Sequence, residues 1–185
     1  RGVAARALIA GRLGFAAAGR RVDEAELVEN VIASARFGEP LSLRFPDPTP
    51  GPEVAIYDSA LAQLPIPRLV EIGREVVAWL EAADPDGKVD VSVERAVTRT
   101  TLRNTSGACV EQQASAFYLS ASVERVRGDD VLMAYDSYAS TGLDEGYQEM
   151  VERLAQKVAL ASRAATLPSG RMPVLFAPSG ALVLL

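Results

Sequence analysis

Apolar and polar residues alternate with a period of two through the middle of the chain. Val89, Val91 and Val93 alternate with polar residues from Lys88 onward, and the stretches 117–123 and 131–135 repeat the alternation. A period of two places successive side chains on opposite faces of an extended strand. The pattern therefore predicts long antiparallel strands between Lys88 and Tyr135.

Apolar residues recur at helical spacing in three other segments, near 24–37, 67–83 and 144–165. Each segment has one apolar stripe, and a sheet covered by helices buries such stripes together with the apolar face of the strands. We therefore expect an α/β (α+β) fold with about three amphipathic helices on an antiparallel sheet. The predicted stripes are Leu27, Val28, Val31, Ile32 and Ala35, then Leu69, Gly73, Val76, Val77 and Leu80, then Tyr147, Met150, Val151, Leu154, Val158 and Ala161.

Weaker signals mark the beginning of the chain and its connectors. The stretch Gly2 to Gly19 alternates weakly around Gly11, which predicts two short strands joined by a turn.

Four prolines within Phe45 to Glu53 favour an irregular connector, with a binding loop as the alternative. In Asp84 to Gly87 the residues favour a turn, although Asp84, Asp86 and Asp90 also suggest a calcium site.

Two polar turns interrupt the predicted strands. Arg127 to Asp130 contains Asp129 and Asp130, which are either a solvated turn or an acidic pair for acid–base chemistry. Asn104, Thr105, Ser106 and Gly107 stand between the first two strands and have the composition of a tight turn. Because a turn projects beyond its strands, we interpret these four residues as a candidate assembly or substrate-access turn, without a catalytic role.

The composition of the chain narrows the range of functions that it can have. The chain has 185 residues, 49% of them hydrophobic and 23% charged, with a formal net charge of -5. An acidic chain lacks the basic surface that nucleic-acid binding requires, so no nucleic-acid partner is expected. No run of residues is long and apolar enough for a membrane helix, and Cys109 is the only cysteine. These features predict a cytoplasmic protein, although the sequence begins at Arg1 without a methionine.

The chain contains no histidine. Histidine is the commonest general base and a frequent zinc ligand, and its absence excludes Ser-His and Cys-His nucleophile pairs. No Gly-rich phosphate-binding motif and no nucleophile elbow occurs either. We therefore predict no catalytic residue, no metal ligand and no cofactor-binding residue in this chain.

The stretch MPVLFAPSGALVLL, residues 172–185, predicts a short buried strand followed by an apolar segment without a polar end. Chain termini normally lie at the surface, so we expect the natural chain to continue beyond Leu185. The predicted domains are an amino-terminal α/β domain over 1–171 and the start of a truncated carboxy-terminal domain over 172–185.

Four stretches together resemble the amino-terminal half of the TldD/PmbA family, whose members are also known as modulators of DNA gyrase. They are GRLGFAAAG, TLRNTSGACVE, DSYASTGLDEGYQEMVERLAQKVALASRAA and MPVLFAPSGALVLL, and they cover residues 11–19, 101–111, 136–165 and 172–185. The resemblance implies an amino-terminal α/β domain followed by a second half rich in β-structure. It also implies a subunit of a metallopeptidase complex that cuts unfolded peptides, working as a homo- or hetero-dimer.

In this family the TldD branch carries a histidine-containing zinc motif in its second half, and the PmbA (TldE) branch lacks it. The resemblance therefore implies zinc only in the missing carboxy-terminal half or in the partner, and no family site residue can be transferred to this chain. The segment around PVLFAP is closer to the PmbA branch, but both branches stay open. The alternative function is a structural or protein-interaction domain of the gyrase-modulator type, with no proteolytic role.

Overall fold

The computed structural model describes residues 2–19, 23–49, 51–163, 165–166, 168–176 and 180–181. Over these residues the fold is mixed α/β, with two antiparallel sheets of two and three strands and four helices, as the sequence predicts in class. The elements are β1 (Val3–Ile9), β2 (Arg12–Ala18), α1 (Glu24–Ala35), α2 (Ser59–Gln63), α3 (Ile66–Ala83), β3 (Lys88–Arg103), β4 (Cys109–Arg127), β5 (Asp130–Ser140) and α4 (Gly146–Ala161).

The chain divides into two compact units. Unit 1 consists of Arg1–Val54 and Thr100–Gln112, and unit 2 consists of Ala55–Arg99 and Gln113–Leu185. The boundaries fall inside β3 and β4, so each of these strands contributes residues to both units. The division between 171 and 172 that the sequence suggests stays a prediction.

Unit 1 begins with the predicted hairpin. β1 pairs antiparallel with β2, and the two residues between them, Ala10 and Gly11, have φ angles of 49° and 75°. Positive φ at both central positions is typical of a type I′ turn, whose twist matches that of the flanking strands. The prediction of two short strands around Gly11 is confirmed.

Helix α1 packs against one face of this hairpin. Its first turn is capped by the Asp23 carboxylate, which accepts hydrogen bonds from the Ala25 and Glu26 N–H groups. A Cβ added at Gly14 would lie 2.1 Å from the Val31 carbonyl oxygen, so only glycine allows the helix to approach this closely. The buried side chains of α1 are Leu27, Val31 and Ala35, whereas the predicted stripe members Val28 and Ile32 are exposed.

Unit 2 contains a three-stranded sheet in the order β3-β4-β5, with α3 and α4 packed over one face. Its core combines side chains of β4 with those of the two helices, and the ring centroids of Phe117 and Tyr147 are 5.9 Å apart. The α4 stripe is confirmed for Tyr147, Met150, Val151, Leu154 and Val158, but Ala161 is exposed.

The α3 stripe differs from the prediction by one position. Ile72 is fully buried, together with Val76 and Leu80, and the predicted Gly73 instead lies beside Val93 at the margin of the core. Both positions fit a period of 3.6 after Leu69, and burying the larger apolar side chain is more favourable.

Ion pairs engage two of the three carboxylates that suggested a calcium site, Asp84 and Asp86. Arg125 donates to Asp84 at 2.7 Å in the interior and also to the Ser162 hydroxyl, while Arg127 donates to Asp86 at 2.6 Å on the surface. The Gly87 N–H donates to the Asp84 carbonyl, which closes the predicted turn. Asp84 and Asp86 therefore join the turn after α3 to the end of β4.

Ser115 holds the segment before α2 to the sheet of unit 2. Its hydroxyl donates to the Thr141 carbonyl at 2.6 Å and accepts from the Asp58 N–H, and its own N–H donates to the Ile56 carbonyl. Asp58 in turn caps α2, a short helix that the sequence analysis did not predict. A buried serine is stable here because its polar groups find partners.

The predicted strand near the end of the chain is wrong for the described residues. Met172 to Phe176 lie in no strand, and Leu175 is 97% exposed. Positions 177–179 and 182–185 of that prediction lie outside the described residues. Among the residues described, none of the helices combines the length and the apolar composition that a membrane crossing requires.

Candidate functional site

The turn between β3 and β4 is held together by the side chain of Asn104. Its Oδ1 accepts hydrogen bonds from the Ser106 and Ala108 N–H groups, both at 3.0 Å. The Asn104 N–H donates to the Ala108 carbonyl, and the Gly107 N–H donates to the Asn104 carbonyl. Such bonding of an Asn side chain to backbone N–H groups stabilises tight turns.

The left-handed backbone of this turn lies at Gly107, whose φ is 90°. Asn104 is selected here for its amide, which satisfies two backbone donors, and Gly107 is selected for its conformational freedom.

The same turn binds the proline-rich segment of unit 1. The Asn104 Nδ2 donates to the Pro46 carbonyl at 2.9 Å, and the Ser106 hydroxyl donates to the Phe45 carbonyl at 3.3 Å. The segment has no backbone donor at its prolines, so side chains of the turn supply donors to its carbonyls. Of the four candidate residues, Asn104 and Ser106 have structural roles, and Thr105 is exposed to solvent.

A groove beside this turn is the candidate binding site, here called the unit 1 groove. It has a volume of about 580 Å³, and its walls come from the β1–β2 hairpin, the proline-rich segment and the β3–β4 turn. The lining residues are Ala4, Ala5, Arg6, Phe15, Phe45, Pro46, Leu102, Arg103, Asn104 and Thr105.

The groove is apolar with a positive charge. The Arg6 guanidinium lies 5.6 Å from the centre of the Phe15 ring, at a distance typical of a cation–π contact. The Arg103 Nη2 lies 3.9 Å from the Glu111 Oε1, and both side chains are largely solvated. No acidic residue is among the described residues that line the groove. The surface is therefore suited to an anionic group attached to an apolar body.

Among its described lining residues, the groove offers no side chain of the kind that peptidases use as a general base. Histidine is absent from the sequence, and Thr105 and Ser106 have no neighbouring base among the lining residues. Within the described part of the chain, no three Cys, Asp or Glu residues are grouped so as to hold a metal ion. The arrangement suits binding, and the predicted absence of cofactor and metal residues stays a prediction.

A second groove, in unit 2, lies between α3 and β3 and has a volume of about 490 Å³. It is lined by Ile66, Leu69, Val70, Gly73, Arg74, Val77, Ala78, Glu81, Val91 and Val93. β3 is the outer strand of its sheet. Sequence reasoning missed both grooves, although the apolar residues of α3 outside its stripe, such as Ile66 and Val70, were a visible signal of this one.

Two groups with shifted pKa values, Tyr138 and Asp144, lie outside both grooves, where β5 meets the start of α4. The Tyr138 hydroxyl donates to the Asp144 carboxylate at 2.6 Å, and the Gly146 N–H and the Ser140 hydroxyl also donate to it. These hydrogen bonds, that of Tyr138 first, lower the pKa of Asp144, and the same bond raises the pKa of Tyr138. The cluster orders the first turn of α4, so its role is structural.

The fold is similar to two solved structures. TldE from Thermococcus kodakarensis is 24% identical with a TM-score of 0.64, over 83% of this chain and 36% of that one. A proposed modulator of a DNA gyrase from Thermotoga maritima is 18% identical with a TM-score of 0.73, over 91% of this chain and 39% of that one. The chain thus spans less than two-fifths of the length of either protein.

No protein-family model and no curated protein sequence matches the chain. At identities below 25% the two solved structures share the fold with this chain, and what these proteins do is not thereby transferred. At the level of fold, the predicted resemblance to the TldD/PmbA family is confirmed.

Proposed function

We propose that this chain is the amino-terminal, non-catalytic part of a TldD/PmbA-like subunit in a metallopeptidase complex that acts on unfolded peptides. The observation that supports this most is the similarity to TldE, which extends over 83% of the chain at a TM-score of 0.64. The absence of histidine from the chain supports a role in which another part of the complex performs the chemistry.

In this proposal unit 1 serves assembly or substrate access. The β3–β4 turn places Thr105 at the surface, and the backbone around it is fixed by the hydrogen bonds of Asn104 and Ser106. A rigid turn next to an apolar groove can hold a peptide or a partner at low entropic cost, because little ordering is left to be done on binding.

The remaining parts of the proposal concern partners and cofactor. The chain would form a homo- or hetero-dimer with a TldD/PmbA-like subunit in the cytoplasm, and zinc would be held by the partner or by residues outside this sequence. A nucleic-acid partner is disfavoured, because the formal net charge of -5 opposes approach to phosphates.

The test is to express the gene that encodes this chain from start codon to stop codon, alone and with a co-purifying partner. We expect chelator-sensitive cleavage of an unstructured peptide in the assembled protein. Thr105→Ala and Ser106→Ala should change subunit association or KM and leave kcat nearly intact. If Ser106→Ala abolishes turnover while association, folding and KM are unchanged, the turn is catalytic and the proposal is wrong.

A second candidate is a protein-interaction domain without any proteolytic role. The similarity to the proposed modulator of a DNA gyrase, over 91% of this chain, favours it. The same experiment separates the two candidates: stable association without any peptide cleavage would support the second one and reject the first.

A further inference from the structure

The two faces of the β1–β2 hairpin have different environments. Ala7 and Gly14 are paired across the strands and lie on the face that packs against α1. Arg6 and Phe15, the next pair, therefore lie on the opposite face, because successive residues of a strand alternate between faces. This outer face forms one wall of the unit 1 groove, and Phe15 is 50% exposed there.

A small side chain lies next to Arg6 on the outer face of the hairpin. Ala4, two residues before Arg6 on the same face of β1, belongs to the lining, and Leu102, another lining residue, is 68% exposed. Phe15, Phe45 and Leu102 are the largest apolar side chains among the described residues of the lining. Large apolar groups exposed together on a concave surface are typical of a binding site.

The described lining of the groove is basic, whereas the formal charges of unit 1 as a whole balance. Arg6 and Arg103, and no carboxylate, are among the described lining residues, while unit 1 contains eight arginines and eight acidic residues. Arginine presents a planar set of donors that matches the two oxygens of a carboxylate. The Arg103–Glu111 ion pair is long and solvated, so it contributes little and a ligand can replace it.

We propose that the unit 1 groove binds an extended peptide segment in which a carboxylate stands next to an apolar side chain. Arg6 and Arg103 hold the carboxylate, and Phe15 and Leu102 receive the apolar group. The inference rests on the proposed peptide-handling function and names the chemistry of its ligand. The carboxylate comes either from the chain terminus of the peptide or from an Asp or Glu side chain.

The experiment measures fluorescence anisotropy of short labelled peptides with the complete gene product. Three peptides share one unstructured sequence containing Phe. The first has a free carboxyl terminus and no acidic side chain, the second is amidated with one Asp beside the Phe, and the third is amidated with Asn in that position. We expect at least one of the first two to bind about tenfold or more tightly than the third, and the comparison of these two identifies the source of the carboxylate.

Two variants and a matched control connect the binding to the groove. Arg6→Gln and Arg103→Gln should each weaken binding of the preferred peptide several-fold, and the double variant should bind it no better than the Asn peptide. Arg36→Gln removes the same charge from an exposed position of unit 1 outside the groove and should leave binding unchanged. Circular dichroism of each variant checks that the fold is retained.

Three results would overturn the inference: equal affinity for all three peptides, unchanged binding in the arginine double variant, or tighter binding of inorganic phosphate than of either carboxylate peptide. If the peptides fail to bind but Thr105→Ala still alters association or KM, only the inference on the ligand falls. If both effects are absent, the proposed function falls as well.

Discussion

Replacing Asp84 by Ala should destabilise unit 2 strongly, because Asp84 belongs to a buried ion pair. An exposed ion pair in the same unit serves as the internal control. The Asp84–Arg125 pair has an Nη1–Oδ2 distance of 2.7 Å with side chains that are 6% and 5% exposed. Two residues along the chain, Asp86 and Arg127 form a pair of 2.6 Å with side chains that are 65% and 56% exposed. The two pairs have the same chemistry and nearly the same length but differ in burial.

The burial of each ion pair decides how much its removal is expected to lower the free energy of unfolding. Removing Asp84 leaves the Arg125 guanidinium in the interior with the Ser162 hydroxyl as its remaining side-chain acceptor among the described residues, and breaking a buried ion pair costs about 3–5 kcal/mol. Removing Asp86 leaves Arg127 in water, where an exposed ion pair contributes little to stability. We therefore expect Asp84→Ala to lower the free energy of unfolding by several times as much as Asp86→Ala.

Urea denaturation measures the difference, with the fluorescence of Trp79 in α3 as a probe of unit 2. In a third variant, Asp84→Leu combined with Arg125→Met, both charges are removed, so most of the lost stability should return because no charge is left buried. Equal losses for the Asp84 and Asp86 variants, or no recovery in the double variant, would refute this account of the buried pair.

Three further predictions concern the turn, the α4 cluster and the chemistry of the chain. Asn104→Ala removes the acceptor for the Ser106 and Ala108 N–H groups, so it should cost roughly 1–2 kcal/mol and raise hydrogen exchange at these two amides; unchanged exchange would reject the role given to Asn104. Because the folded-state pKa of Asp144 is lowered below 3.8, its stabilisation is present above about pH 4 and is lost as pH falls through the folded pKa. The stability difference between wild type and Tyr138→Phe should therefore shrink in acid, and a pH-independent difference would contradict this. The purified chain should bind no zinc at one per chain and should leave casein intact; cleavage that chelator abolishes and zinc restores would overturn it.

The long periodic elements were predictable because their patterns extend over many residues. The strands after Lys88 and the α4 stripe from Tyr147 to Val158 repeat often enough for the period to be clear. On α3, both Ile72 and Gly73 fit the helical period of apolar residues. Only packing against the sheet decides that Ile72 is the buried one.

Of the candidate site, only the turn at 104–107 was predictable from the sequence. Asn and Gly in sequence predicted the turn at 104–107, but its hydrogen bonds to Phe45 and Pro46 join residues about sixty positions apart, and local patterns carry no such information. The groove depends on the same long-range contacts, so its arginines had no distinguishing feature in the sequence. The apolar run from Met172 was predicted as a buried strand because hydrophobicity alone does not reveal whether a partner surface is present.

The division of unit 1 between two distant segments affects the order in which a ribosome can build it. The hairpin and α1 emerge first and have their mutual contacts available at once, but the β3–β4 turn that completes the unit lies beyond residues 55–99. At about 5–20 residues per second, the gap corresponds to a few seconds of synthesis. Throughout that interval Arg6 and Phe15 lack the wall that the β3–β4 turn supplies, which makes them more accessible to a chaperone or to another nascent chain.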